Sequence, residues 1–487
     1  MRPLRLAPGL LTAAVLLASL RASAAAPAPD PVGRGYVGDQ AVDDDDDLPT
    51  SQAMPGADTA TRGDASATVA SSASSSTGPA APAAPDSDDD DLPTTQALPG
   101  ASAATHGDVS ARVAAEADDA TREFKPYEVG GFIDVNWMYN HNLPDNHVYR
   151  GNSVQPRTGE FAVNLAVVYI RRDAVPGRLS PTFELALQAG PAADALMYYE
   201  PTPGGMGSKF AGAEVFKHLG RANVGFKSRR GTELSAGMHL SPIGIGVHWS
   251  PYNWNYTASW QLNSVPYYLA GLKLVHPITD KHGVQLWAVN GWQTLGDNNK
   301  APAFMAGYTY TPSPRFAFAE YAYFGPDNAD TKLRAWRMFS DTQFSYNAER
   351  FGVSAVYDIG AERRTDLPMN PWHMWMTAAV FTRWRVLGKQ RTWDMAARPE
   401  WFWDRDGRMY GVPQHLLSGT FTNDVRLFES LLLRVEYRYD RSTSPAGFFY
   451  RGAAITDDAV GLGRGQHTVM FAIAGVLAHR FGRAGNK

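Results

Sequence analysis

The sequence contains no cysteine among its 487 residues. That excludes a disulfide framework, thiolate metal sites, thiol nucleophiles and a lipid-modified N-terminal cysteine. Beyond the first 20 residues there is also no run of the ~18 apolar residues that a membrane-crossing helix needs. A membrane form of this chain must therefore be a closed barrel, because lipid offers no partner to an unpaired backbone group. Catalytic signatures are missing as well: no G-x-S-x-G, no H-E-x-x-H and no histidine pair at ligand spacing occurs. The expectation is a protein that is not an enzyme, with no catalytic residues, no cofactor and no metal site.

What is present begins with an address. Met1 to Arg5 is basic, Leu6 to Leu20 is apolar, and Ala22-Ser23-Ala24 is a small-residue cleavage site. Residues 1–24 therefore read as a signal peptide. From 25 to 123 the composition is Ala, Pro, Ser, Thr, Gly and Asp, almost without aromatics. DDDDLPTSQAMPGADTATRGDASATVA (Asp44 to Ala70) recurs as DDDDLPTTQALPGASAATHGDVSARVA (Asp88 to Ala114). Pro27 to Glu123 holds 17 Asp and 2 Glu against 4 Arg, a net charge of −15. Such a segment buries too little apolar surface to offset its ordering entropy, so a disordered periplasmic linker is expected. The duplicated motif leaves open a cell-wall or protein-partner contact through 25–123, or weak divalent-cation binding by the Asp runs; two copies would add avidity. No basic-plus-aromatic pattern points to nucleic acid. The whole-chain charge of −4 hides an asymmetry, because residues 124–487 carry a net charge of +8.

From Phe124 onward the chain alternates with period two, the signature of strands with two unlike faces. In Leu431 to Asp440, Leu431, Leu433, Val435, Tyr437 and Tyr439 share one face, and Arg434, Glu436, Arg438 and Asp440 share the other. Val129 to Tyr139, Phe161 to Tyr169, Phe183 to Gln188 and Thr468 to Phe481 repeat the pattern. Further strands are expected near 221–228, 231–241, 266–276, 282–294, 301–311, 314–324, 335–347, 349–359, 373–387, 391–403 and 415–428. The total is about 16, between 14 and 18, at the ten-residue length of tilted transmembrane strands. Tight links (Ser228 to Gly231, Thr311 to Pro314, Asn347 to Arg350, Leu387 to Gln390) alternate with long ones at 141–158, 191–220, 242–265, 360–372 and 441–465. Short periplasmic turns and long outer loops alternate in this way in outer-membrane barrels. The predicted fold is all-β: a transmembrane antiparallel up-and-down β-barrel over 124–487 in the bacterial outer membrane, both termini in the periplasm.

Aromatics fall where the two lipid–water interfaces would lie. Outward Trp137, Tyr139, Trp401, Trp403, Tyr437 and Tyr439 sit at the loop end, and Trp384, Trp393 and Phe481 at the turn end, forming two expected girdles. On the inward face Arg383, Arg385, Asp394, Arg398, Glu400, Asp424, Arg434, Glu436, Arg438 and Asp440 are candidate pore-lining residues. They read equally as a filter for solutes and as a salt-bridged ladder that stiffens the wall. Arg383 and Arg385, with the +8 balance, suggest a mild preference for anions. The 242–265 link concentrates Trp249, Tyr252, Trp254, Tyr256 and Trp260. It reads either as a constriction loop offering ring faces to sugars, or as an outer loop and girdle; interfacial enrichment of Trp and Tyr favours the second. Asp404-Arg405-Asp406-Gly407 and Asp297-Asn298-Asn299 are incomplete as calcium loops. Gly461 to Gly465 reads as a flexible loop.

Five stretches carry a resemblance: GFIDVNWMYNHNLPDN (Gly131 to Asn146), NYTASWQLNSVPYYLAGLKLVHPITDK (Asn255 to Lys281), VNGWQTLGDNN (Val289 to Asn299), RPEWFWDRDG (Arg398 to Gly407) and LRVEYRYDRST (Leu433 to Thr443). In these the chain resembles the putative β-barrel porin-2 (OmpL-like) outer-membrane family. The resemblance implies a barrel of porin type and carries no catalytic residues. The acidic segment lies outside it, and GRAGNK follows the last strand aromatic, Phe481. Together these readings point to a porin in outer-membrane lipid, passing small hydrophilic solutes and common as a trimer at this size. The rival is a plugged barrel that anchors the acidic arm to the cell wall or a partner.

Overall fold

The computed structural model describes residues 124–197, 218–297, 299, 301–327, 333–387, 392–428, 430–456 and 459–482. The expected signal peptide and acidic linker lie outside the described residues. Sixteen antiparallel strands close into one barrel. In chain order they are β1 (Tyr127–Asn140), β2 (Phe161–Arg172), β3 (Ser180–Ala189), β4 (Leu219–Lys227), β5 (Glu233–Leu240), β6 (Tyr268–Pro277), β7 (His282–Val289) and β8 (Ala303–Ser313). There follow β9 (Phe316–Pro326), β10 (Trp336–Asn347), β11 (Phe351–Arg363), β12 (Trp372–Leu387), β13 (Thr392–Asp404), β14 (Gln414–Leu427) and β15 (Leu431–Ser442). A separate two-stranded hairpin, β16 (Phe449–Thr456) and β17 (Ala459–Gly463), precedes the closing strand β18 (Gly465–Phe481). Among the described residues of the β3–β4 connection there is one short helix, α1 (Pro191–Met197).

Period-two alternation decides which face each strand presents. The inward residues are buried, and the outward ones form an apolar band exposed on every side: Ile133 is 56% exposed, Val224 63%, Leu286 57% and Ile473 53%. A water-soluble sandwich would bury that band, whereas lipid accepts it. No helix among the described residues is long and apolar enough to cross a membrane. All nine expected girdle aromatics stand on the outward face, with Trp137 against Phe161 and Phe471 at one end and Trp384 beside Phe351 at the other.

The barrel closes where β1 meets β18, from Tyr127 opposite Phe481 to Asn140 opposite Thr468. An ionic cluster fastens the turn end of this seam. Glu128 accepts from Arg171 at 2.9 Å, from Arg480 at 2.8 Å and from the Tyr169 hydroxyl at 2.8 Å. Turns such as β4–β5 are tight because Gly231 takes φ +85°, open to a residue without Cβ, so that its N–H reaches Ser228 O at 3.0 Å. Two expectations need correction. Strand β7 stops at Val289 instead of 294, because Gly291 and Gln293 take positive φ and carry Trp292 inward onto Tyr323 and Phe339. Ala459–Gly463 is a strand and not a flexible loop; Gly463 pairs with Phe449, which sets Phe448 and Phe449 against Trp260.

Candidate functional site

The link between β5 and β6, residues 241–267, turns into the barrel. It contains no Asp, Glu, Lys or Arg. Buried residues make up 23 of its 27 positions and none is exposed, which no surface loop achieves. Gly244 and Gly246, at φ +89° and +110°, allow the sharp entry; a Cβ on Gly244 would stand 2.7 Å from Gln261 Nε2. Two single 3-10 turns, Ser250–Tyr252 and Leu262–Ser264, fold the segment across the lumen.

The loop packs by apolar contact on more than one wall, with Ile245 and Trp254 among Val356 of β11, Ala379 and Phe381 of β12 and Ala396 of β13. Ile243, Leu262 and Val265 share one buried cluster with Met238 of β5, Trp287 of β7, Met305 of β8, Tyr321 of β9 and Phe339 of β10. On the opposite side its main chain meets charged groups of the wall. Glu436 accepts the N–H of Thr257 at 2.9 Å and that of Tyr256, and Glu400 accepts the N–H of Trp260 at 2.6 Å. Arg398 donates to Thr257 O at 2.7 Å, Arg438 to Ala258 O at 2.6 Å, and Arg434 to Ser250 O at 2.9 Å and Asn253 O at 2.8 Å. Asp134 of β1 accepts the hydroxyls of Ser250 at 2.6 Å and Tyr256 at 2.9 Å. The near wall takes part too: Asp341 of β10 accepts from Gly244 N at 2.8 Å, and Asp358 of the neighbouring β11 from Gln261 Nε2 at 2.8 Å. Buried backbone groups need partners, and a loop without acidic or basic residues other than histidine finds them here on the carboxyl and guanidinium groups of the wall.

All ten candidate lining residues stand on the inward face, yet they divide. Arg398, Glu400, Arg434, Glu436, Arg438 and Asp440 are at most 5% exposed; the first five bond the loop, and Asp440 accepts from Tyr149 of the β1–β2 link at 3.2 Å. Arg438 also pairs with Asp440 at 2.8 Å and Arg398 with Glu400 at 3.1 Å. Arg385 and Asp394, paired at 3.0 Å, and Asp424, paired with Arg434, lie nearer the turn end and are half-buried. Arg383 enters no ion pair among the described residues and lies over the Trp254 ring at 5.0 Å. The favoured reading of the aromatic link, an outer loop and girdle, is corrected: the segment lies in the lumen. Nor do its rings offer free faces for sugars, because Arg221 covers Trp249 at 3.9 Å, Arg438 covers Trp260 at 5.1 Å, and Tyr252 packs edge-on against Phe132. A transverse loop sheds water by stacking cations on its indoles.

Asp134, Asn136, Asp341, Gln343 and Asp358 also hold the loop and were not singled out from the sequence. Asp134 and Asn136 are successive inward positions of β1, and Asp341 and Gln343 of β10; only the register shows that Asp341 faces Asp358. The incomplete calcium loops serve local structure: Asp404 takes the N–H of Met409 and Tyr410, and Asp297 that of Asn299. His248, inside the loop, sits edge-on to Trp249 and Tyr267; burial, with the nearby Arg221, pushes its pKa down to about 3.

Charge is unevenly placed along the barrel. The long connections, each with two flanking residues on either side, hold 15 Lys and Arg against 14 Asp and Glu. The short turns on the same rule, with residues 124–128 and 480–482, hold 14 against 6. The barrel strands between them hold 7 against 10. The positive surplus of the barrel is therefore at the turn end, and Arg383 and Arg385 do not make the wall positive.

A closed sixteen-stranded barrel with an apolar outer belt and a charged, loop-crossed lumen is a porin-like barrel of the outer membrane. The model of the family described as "Putative beta-barrel porin-2, OmpL-like" matches residues 126–474, and the chain belongs to that family. A sequence comparison with curated proteins found no match. Among solved structures, the chain is similar to the anion-selective porin from Comamonas acidovorans (10% identity, 73% of this chain and 100% of that one, TM-score 0.47). It is likewise similar to the trimer form of OmpT from Vibrio cholerae (10%, 72% and 99%, TM-score 0.46). A third is the outer-membrane channel DcaP of Acinetobacter baumannii (10%, 73% and 99%, TM-score 0.44).

Proposed function

We propose that the protein is a gated outer-membrane porin that passes small hydrophilic solutes down their gradients, with the 241–267 loop as its constriction. The observation that carries this reading is the loop's path: both its ends join β5 and β6, and it crosses the lumen to reach Arg398, Glu400, Arg434, Glu436 and Arg438 on the far wall. With both covalent ends on the near wall, the loop leaves the far wall without leaving its anchor. The groups it would release, Glu400, Glu436, Arg398 and Arg438, are ions that water solvates well, and buried ion pairs gain little net stability over hydrated ones. Withdrawal toward β5–β6 opens a water path lined on one side by alternating charges. The mild anion preference of this reading belongs to the basic turn end, which faces the periplasm and gathers anions at the mouth. Planar-bilayer recording tests it: discrete conductance steps with a reversal potential shifted slightly toward anions are expected, and native mass measurement checks the expected trimer.

The loop's burial favours a second reading, a plugged barrel that anchors the acidic arm to the cell wall or a partner. Absence of any conductance step from correctly folded, heat-modifiable protein, together with arm-dependent retention on cell-wall sacculi, would select it.

A further inference from the structure

The turn end of the barrel carries more cation than it uses. Arg229, Arg230, Lys281, Arg315 and Arg350 are exposed, and none of the five enters an ion pair among the described residues. They stand on four successive turns, β4–β5, β6–β7, β8–β9 and β10–β11, so they form an arc along the rim instead of one spot. The opposite rim has no such surplus, with 15 cationic against 14 anionic residues. The surplus belongs to the turn end, where exposed cations follow one another over at least four turns. A long acidic partner fits it.

Such a partner is covalently attached to the same end. Strand β1 starts at Tyr127 on the turn side, and the 97 residues from Pro27 to Glu123 precede it with a net charge of −15. Nine of those negative charges lie in two runs, Asp43 to Asp47 and Asp88 to Asp91. The second run is 36 residues before Tyr127. A chain of that length spans up to ~120 Å, so it reaches every turn of the mouth. Attachment also replaces a bimolecular encounter by an intramolecular one, at millimolar effective concentration for a suitable linker. We infer that the acidic segment of this chain docks on the basic arc Arg229–Arg230, Lys281, Arg315 and Arg350 of its own barrel. Docking covers part of the positive surplus of the mouth and competes with anionic solutes for it. The inference rests on the reading that places the turn end and the arm together in the periplasm.

Because the chain lacks cysteine, two substitutions report the contact cleanly. Nitroxide labels on S51C, beside the first Asp run, and A348C, on the β10–β11 turn, are placed in the full-length protein in liposomes. A short-distance population is expected at low salt. It should vanish at 1 M salt, where the Debye length falls to about 3 Å. It should vanish equally when both Asp runs are changed to Asn, and again in the R229Q/R230Q/R315Q/R350Q variant. An unchanged, broad distribution in all four conditions overturns the inference. So does a short distance that persists in the Asn variant, or an arm that stays far from the rim while binding cell-wall sacculi. The readout needs no conductance, so its failure is separate from failure of the porin reading.

Discussion

The 241–267 loop meets two unlike walls. Toward β5–β10 it packs Ile243, Leu262 and Val265 onto Met238, Trp287, Met305, Tyr321 and Phe339. Toward β13, β15 and β1 it lays its backbone against Arg398, Glu400, Arg434, Glu436, Arg438 and Asp134. The first contact is non-directional and gains from excluding water. The second is directional, and each partner has an alternative in water, so its net worth is small per bond while one orphaned ion costs much. Neither side is pure, since Asp341 of β10 bonds Gly244 N and Ile245 and Trp254 pack among β11 to β13; with the covalent ends on β5 and β6, the near side acts as a seat and the far side as a latch.

Four changes should separate seat from latch. Replacing 243–264 with a short Gly/Ser link removes both; an unobstructed lumen of sixteen strands conducts water-filled current, so single-channel conductance should rise several-fold. Next comes the latch alone. R398A/R438A leaves Glu400 and Asp440 without their cations, and breaking a buried pair costs roughly 3–5 kcal/mol; closed dwell times should collapse while heat-modifiable gel mobility stays native. The third change is pH. The seated loop holds His248 neutral, with its pKa lowered from 6.5 to about 3, whereas the released loop exposes it. Protons therefore bind the released form more strongly, and the stability of the seat is present above about pH 6.5 and is lost as pH falls toward 3. At pH 5 the bias is roughly 2 kcal/mol, so acid should raise open probability more than tenfold, and H248Q should flatten that profile. Smallest is I243V, a seat change of about 1 kcal/mol that leaves the latch intact; gating should stay close to native while thermal stability falls slightly.

The barrel was legible because its signal is local and repeated. Alternation in Leu431 to Asp440 and the short-long succession of links give strand number and sidedness without knowledge of any contact. The lumen was legible only in part. Arg434, Glu436, Arg438 and Asp440 declare themselves inward by parity, but parity is silent on what covers them. The path of 241–267 depends on contacts between residues more than a hundred positions apart, such as Asp134 with Tyr256 and Trp260 with Glu400. Its five aromatics carry the composition of an interface, and the same rings serve equally well under stacked arginines. Charge placement shows the same limit: the +8 of the barrel is a sum over the sequence, and only the strand boundaries locate it at the turn end.

The latch is tested most directly by joining it covalently. Asn255 Nδ2 donates to Thr422 Oγ1 of β14 at 2.8 Å, and the chain has no cysteine to interfere. In N255C/T422C, oxidation should form the cross-link in nearly all molecules, abolish conductance steps, and restore them on reduction. A pair that stays unlinked under oxidant, or a linked protein that conducts as the reduced one does, would contradict a loop latched across the lumen.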